Sequence, residues 1–302
     1  MLVRQSFLRA RARLFPGAAC TDDKVVWPPT FQSCLVLDGP AGSGKSVLLA
    51  LLVAAVREAG GVALYVPRGR ALTINSLFYQ HEGATPPVWD TPGHATKLLS
   101  SLWAVHGPAL ESLPQRRPGC QPGKQLGDLH AAGTAATATP VAAVDAALGM
   151  LQELRLVQEL PTLIAVDEIN ALWGWTEYHQ TTGPRSRKRL HAGQLRVAEA
   201  LRAFDAQPGP VRGALLGATS ANAGVSPKVH VGSLPKGSRR AVSRFTAEES
   251  NTMVRMYASA GCLSGLEDKW EDEELMTKTA IRLHALTVGS GAELRDILPL
   301  LG

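Results

Sequence analysis

Gly39-Pro40-Ala41-Gly42-Ser43-Gly44-Lys45-Ser46 fits G-x-x-x-x-G-K-[ST], the pattern of a phosphate-binding loop. Its setting fits as well. Cys34-Leu35-Val36-Leu37-Asp38 reads as a buried strand before it, and Val47 to Val56 reads as a buried helix after it. Strand, glycine loop and helix in that order separate this motif from a chance match. The chemistry follows from backbone geometry. Glycines let the loop curl, so that the N–H groups from Gly39 through Ala41, Gly42, Ser43 and Gly44 to Val47 can point at an anion. The helix begins here, and its open N–H groups and dipole favour negative charge. Lys45 is expected to reach the β- and γ-phosphates, and the Ser46 hydroxyl to coordinate Mg²⁺.

The second half of such a site is Leu163-Ile164-Ala165-Val166-Asp167-Glu168, an apolar strand ending in two carboxylates. Asp167 is expected in the metal shell, as the Walker B aspartate of P-loop enzymes is. Glu168 stands where a carboxylate can polarise an attacking water; it reads equally as a charged residue at a strand end. Two helical segments and at least one strand separate Lys45 from Asp167. That spacing suits the class with an extra strand between the two Walker strands. The expected fold is therefore α/β, an AAA-like P-loop NTPase with a parallel sheet flanked by helices and a small C-terminal helical subdomain. No [NT]-K-x-D guanine-reading motif occurs, so the motifs alone leave the base open.

Bulk properties are those of a globular chain. Its 302 residues are 45% hydrophobic and 19% charged, with no apolar run long enough for a membrane span. Lysine plus arginine number 31 against 26 acids, a mild excess that permits an RNA partner without requiring one. Cys20, Cys34, Cys120 and Cys262 are far apart, which argues against a zinc site and suits a reducing compartment. The first fifteen residues are arginine-rich without an acid. They read either as a mitochondrial transit peptide or as a basic amphipathic helix retained on the fold.

Three parts are expected: a basic segment over 1–30, a nucleotide-binding domain over 31–245, and a helical subdomain over 246–302. The second strand is Val62 to Val66. A helix covers Ala95 to Val105, and another Val141 to Gln158. Between them, 107–140 is crowded with Gly, Pro, Ala and Thr and reads as an insertion or surface loop. Arg185 to Arg189 reads as a basic loop, followed by a helix from Gln194 to Phe204 and a core strand over Gly213 to Ser220. Thr219, Ser220 or Asn222 can serve as a γ-phosphate sensor or as an ordinary strand-end cap. Thr246-Ala247-Glu248-Glu249 is a capping box, and helices follow over Leu275 to Leu286 and Ala292 to Leu300. Arg295, in the last of these, is a candidate phosphate contact.

Asp167-Glu168-Ile169-Asn170-Ala171-Leu172-Trp173-Gly174 resembles the D-x-x-N-A-L-W-G element of the death-associated protein 3 family. Met1-Leu2-Val3-Arg4, Tyr65-Val66-Pro67, Gln125 to Leu129 and Gly289 to Arg295 resemble further family segments in the same order. The resemblance covers most of the chain. It implies an AAA-like fold and a guanine nucleotide (GTP or GDP) with Mg²⁺. Gly39, Gly44, Lys45 and Ser46 would lie on the phosphates, and Asp167 near the metal. It further implies a place in the mitochondrial small ribosomal subunit, in the matrix, among ribosomal proteins and rRNA. A family member carries glycine where Glu168 stands, so the second carboxylate is not required for the family's role.

The leading expectation is thus a structural ribosomal protein that holds a nucleotide with slow or no hydrolysis. Arg9, Arg11, Arg13, Arg185, Arg187, Lys188, Arg189, Arg239 and Arg240 are its candidate RNA or protein contacts. Trp173 and Trp175 are expected to plug a hydrophobic seam. The alternative is an active AAA-type or signalling ATPase using Glu168. A nucleotide kinase is the weakest reading, because no acceptor-site pattern follows the loop.

Overall fold

The computed structural model describes residues 5–15, 19–21, 24–26, 31–202, 210–221, 238–261 and 272–298. At the centre is a five-stranded sheet, every pairing parallel, built from β1 Phe31–Asp38, β2 Val62–Val66, β3 Thr162–Val166, β4 Arg212–Ala218 and β5 Arg239–Ala241. The strand order is β5-β1-β4-β3-β2, so β4 lies between the strand that leads into the glycine loop and the strand that ends at Asp167. This α/β arrangement is consistent with a P-loop-like NTPase.

Alternation along the strands explains why both faces are covered. Val36, Leu64, Ile164, Val166 and Leu215 belong to one core, and Leu35, Leu37, Leu163, Ala165 and Leu216 to the other. Successive side chains in a strand point to opposite faces, so an uninterrupted apolar run demands a layer on each side. The second core is closed by α1 Gln5–Leu14 and α2 Lys45–Glu58; the first by α3 Pro92–Leu110, α4 Leu126–Thr134 and α5 Pro140–Leu156. The short α6 Arg196–Leu201 also packs on the first core. A third cluster joins α7 Ala247–Ser259, α8 Glu273–Thr287 and α9 Gly291–Ile297 through Val254, Met276, Leu283 and Leu294. The expected capping box opens α7, with Thr246 Oγ1 accepting from Glu249 N and Thr246 N donating to Glu249 Oε2. Among the described residues, no helix is long and apolar enough to cross a membrane.

Two sequence expectations need correction. The segment 107–140 is not loop throughout. Gly107 and Pro108 end α3, and α4 forms within the segment. One of its glycines is a tight helix-packing position: a Cβ on Gly133 would lie 2.3 Å from Leu99 and 2.8 Å from Ala146. The arginine pair Arg116-Arg117 is anchored as well, because its backbone N–H groups donate to the buried Glu153 carboxylate at 2.7 and 2.9 Å. Second, the basic stretch after Asp167 is a β-hairpin, Trp175–Gly183 paired with Ser186–His191. Of the two readings of the arginine-rich start, the structure shows the helix on the fold, from residue 5. Ala10 and Leu14 of α1 are buried, and Ser33 Oγ donates to Leu14 O at 2.7 Å. Met1 to Arg4 lie outside the described residues, as do the ends of two expected helices, at Phe204 and Leu300.

The open edge of the sheet is managed by α3. Ala63 N on β2 donates to His106 Nε2 at 3.1 Å, and the Ala63 carbonyl accepts from Arg57. A bare edge is a pairing hazard, and here side chains cover it. Burial, then the nearby Arg57 charge, pushes the His106 pKa below its ordinary 6.5. The unfolded chain therefore binds this proton first as pH falls. The contribution of neutral His106 is complete above about pH 6.5 and is lost below it, when the ring nitrogen can no longer accept from Ala63. Thermal melts should fall on going from pH 7.5 to 5.5, with a shallower fall in His106→Gln; identical slopes would remove His106 from the account. Val288, φ 50°, holds a left-handed conformation just after α8 that disfavours a β-branched residue. Val288→Gly should therefore raise the melting temperature by a few degrees, corresponding to about 1 kcal/mol; a lower melt would mean that the side chain itself is needed.

Candidate functional site

The glycine loop sits at the carboxyl end of β1, the place where open α/β sheets bind ligands. Its curl depends on left-handed backbone at Gly42, φ 74°, and Gly44, φ 88°. α2 opens at Lys45 with Gly44 as its cap, and Leu48 N closes the first turn on Gly44 O at 2.9 Å. The N–H groups of the first turn thus begin at the loop, with the positive end of the helix dipole behind them.

Lys45 is nearly buried, at 7% exposure. Its Nζ donates to Gly39 O at 2.8 Å and to Pro40 O at 2.7 Å. An ammonium has three donors, so two hold the loop and one remains for a further acceptor. Burial lowers the lysine pKa, while the charges of Asp38 and Asp167 oppose that shift. The three groups therefore sense one another electrostatically. Asp167 is buried at the end of β3, its backbone N–H donating to Val66 O at 2.9 Å and its Oδ1 accepting from Glu168 N at 2.8 Å.

Sequence reasoning passed over Asp38, which immediately precedes the loop. Its Oδ1 accepts from Gly39 N at 2.9 Å and from Thr219 Oγ1 at 2.8 Å, and its Oδ2 pairs with Arg239 at 2.8 Å. One carboxylate thus joins the ends of β1, β4 and β5. The Thr219 hydroxyl proton is committed to Asp38 and not to a ligand. Ser220 is also engaged: its N–H donates to Asn170 Oδ1 at 2.9 Å, while Asn170 Nδ2 donates to Ser220 O at 2.8 Å. This reciprocal pair ties the segment after β3 to the end of β4, and gives a physical reason for asparagine in that element. Asn222, the remaining sensor candidate, lies outside the described residues.

A cavity of about 590 Å³ stands over the loop. Ala41 to Leu48, including the exposed Ser46 and Val47, form its floor; Thr219, Ser220 and Ala221 form one side. The C-terminal helices supply Met253, Tyr257 and Arg295, the segment just before them Phe245, and α1 supplies Ser6 and Phe7. Arg295, mostly exposed, pairs with its neighbour Asp296 at 2.8 Å and is positioned at the cavity wall. Neither Asp167 nor Glu168 lines the cavity, and the Glu168 backbone is left-handed, φ 52°. The helical unit touches the loop directly. Gly291 N donates to Gly42 O at 2.9 Å, and a Cβ on Gly42 would lie 2.2 Å from Ser290 Oγ. Only glycine fits between the loop and that corner.

Other candidates lie away from the cavity. Trp173 is buried, with the Arg202 guanidinium 5.1 Å from its ring centre, as expected of a seam residue. Trp175 is 58% exposed on the hairpin and packs edge-on to His191, so it plugs nothing. Arg185, Arg187, Lys188 and Arg189 are exposed on the same hairpin, whereas Arg239 is taken up by Asp38.

Asn170, 1% exposed, offers a direct test of how the strand ends are held. Asn170→Ala removes two hydrogen bonds to the Ser220 backbone, a loss of about 2–4 kcal/mol. Calorimetry should show the melt lowered by roughly 5–10 °C; a shift under a degree would mean that the clip carries no weight.

No curated protein matched the chain. Among solved structures, Drosophila ORC bound to DNA matches with a TM-score of 0.40 and 12% identity, covering 90% of this chain and 55% of that one. The chain thus spans about half the length of that relative, and the likeness is too weak to bear on fold or function. The model of the family described as mitochondrial ribosomal death-associated protein 3 matches residues 32–286. That match takes in the whole sheet and the loop, and the chain belongs to this mitochondrial ribosomal family, whose place is the mitoribosome.

Proposed function

We propose that the protein is a structural component of the mitochondrial small ribosomal subunit that holds a guanine nucleotide, GTP or GDP, with Mg²⁺, and turns it over slowly or not at all. The observation that carries this reading is the glycine loop itself. It curls at the mouth of a helix, beneath a cavity of about 590 Å³, with Lys45 in the electrostatic field of Asp38 and Asp167. That volume is within the range of small-molecule sites. The donor set fits a nucleotide: backbone N–H groups and an ammonium for phosphates, Ser46 and Asp167 as oxygen ligands for Mg²⁺. The metal, when bound, would neutralise phosphate charge. Guanine, in this reading, rests on family membership.

The position of β4 between β1 and β3, together with a helical unit seated on the loop, supports an AAA-like type within the P-loop class. Slow turnover is favoured by the Thr219 hydroxyl, which is held by Asp38. The exposed cations of the hairpin and of α1 are the proposed contacts to rRNA and neighbouring subunit proteins.

Four measurements test the reading. Nucleotide extracted from the purified protein should be guanine, with phosphate release slow over hours, and the protein should cosediment with mitochondrial small subunits. Brisk ATP hydrolysis abolished by Glu168→Gln would replace this reading with the ATPase. Lys45→Ala should also abolish the stabilisation conferred by GDP and Mg²⁺, about 4 kcal/mol at a thousandfold excess over Kd. A full ligand-induced rise in melting temperature in that variant would contradict the proposed site.

A further inference from the structure

The cavity lining extends past its phosphate floor, and the rest of it has a different chemistry. Beyond the loop it is walled by Phe7 on α1, Leu51 on α2, and Met253, Met256 and Tyr257 on α7. Among the described residues, no aspartate or glutamate lines it. Aromatic, thioether and aliphatic surfaces on two sides make a slot suited to the faces of a flat ring. One polar group of this part sits on α1. Ser6 Oγ is shielded from solvent and has no hydrogen-bond partner among the described residues. A buried hydroxyl without a partner is costly, and it can both donate and accept.

From this juxtaposition we infer that α1 is part of the nucleotide site: Phe7 packs on the nucleobase of the bound nucleotide and the Ser6 hydroxyl meets its polar edge, with α7 forming the opposite wall. The inference rests on the proposed nucleotide reading and extends it to a helix whose sequence suggested only targeting or RNA contact. It follows that a nucleotide touches three parts of the fold at once. Its phosphates lie on the loop, and its base lies between α1 and the C-terminal unit. Because α1 is otherwise held mainly by Ala10, Leu14 and Phe15, the base adds contacts at the amino end of the helix, where few others exist.

Titration calorimetry with GDP and with inorganic pyrophosphate, both with Mg²⁺, separates the two ends of the site. Phe7→Ala should weaken GDP binding about ten-fold or more, and Ser6→Ala about three- to ten-fold. Both variants should bind pyrophosphate as the unaltered protein does. GDP, but not pyrophosphate, should slow tryptic cleavage at the exposed Arg9 and Arg13 of α1. Unchanged GDP affinity in both variants overturns the inference and leaves the nucleotide reading intact. Equal loss of GDP and pyrophosphate also overturns it, since α1 would then merely support the fold. If the unaltered protein binds neither probe, both readings fall. Ser6→Ala guards against misfolding of the Phe7 variant, whose ring also packs against the core.

Discussion

The Asp38 carboxylate is the constraint on which the site is built. It stands at the last position of β1, accepts the first N–H of the loop, and holds Thr219 and Arg239 from the strands on either side. Three strand ends are thereby fixed relative to the start of the loop. A loop rich in glycine has a large conformational entropy to lose, and a pre-set anchor at its first residue restricts it before any ligand arrives. The Asn170–Ser220 clip does the same for β3 and β4. Together they hold the element carrying Asp167 in place opposite the helix that carries Lys45.

The buried Lys45 ammonium fits the role proposed for the loop. Burial disfavours the charge, and only two loop carbonyls and the fields of Asp38 and Asp167 compensate. A phosphate would supply the missing counter-charge. The same physics accounts for the contact between the C-terminal helices and the loop. Gly291 is bonded to Gly42, so the helical unit rests on the segment that a phosphate would touch. Membership in a mitochondrial ribosomal family gives this arrangement a setting, a rigid particle in which a bound nucleotide can act as part of the core.

Much of this was legible in the residues. The glycine loop, the two flanking strands, the Walker B pattern and the capping box at Thr246 each depend on short-range rules, and each stands in the structure where the spacing put it. What could not be read arises from contacts between distant segments. Gly133 looked like loop punctuation because only tertiary packing against Leu99 and Ala146 makes it a helical spacer. Asp38 looked like an ordinary strand end until Thr219 and Arg239, about two hundred positions away, were brought to it. The arginines of α1 drew attention from Ser6 and Phe7, and periodicity alone does not say that a helix reaches a cavity. Arg185 to Arg189 form a hairpin because the chain turns at Pro184, a turn that the run of charges obscured.

The central claim is that the backbone N–H groups between Gly39 and Val47 receive the phosphates of a nucleotide. Amide hydrogen exchange followed over that segment, in nucleotide-free protein and after adding GDP with Mg²⁺, reads those groups directly. The account predicts marked slowing of exchange across the loop and the first turn of α2, with little change in the hairpin at 175–191. Unaltered exchange in the loop at saturating nucleotide would contradict it.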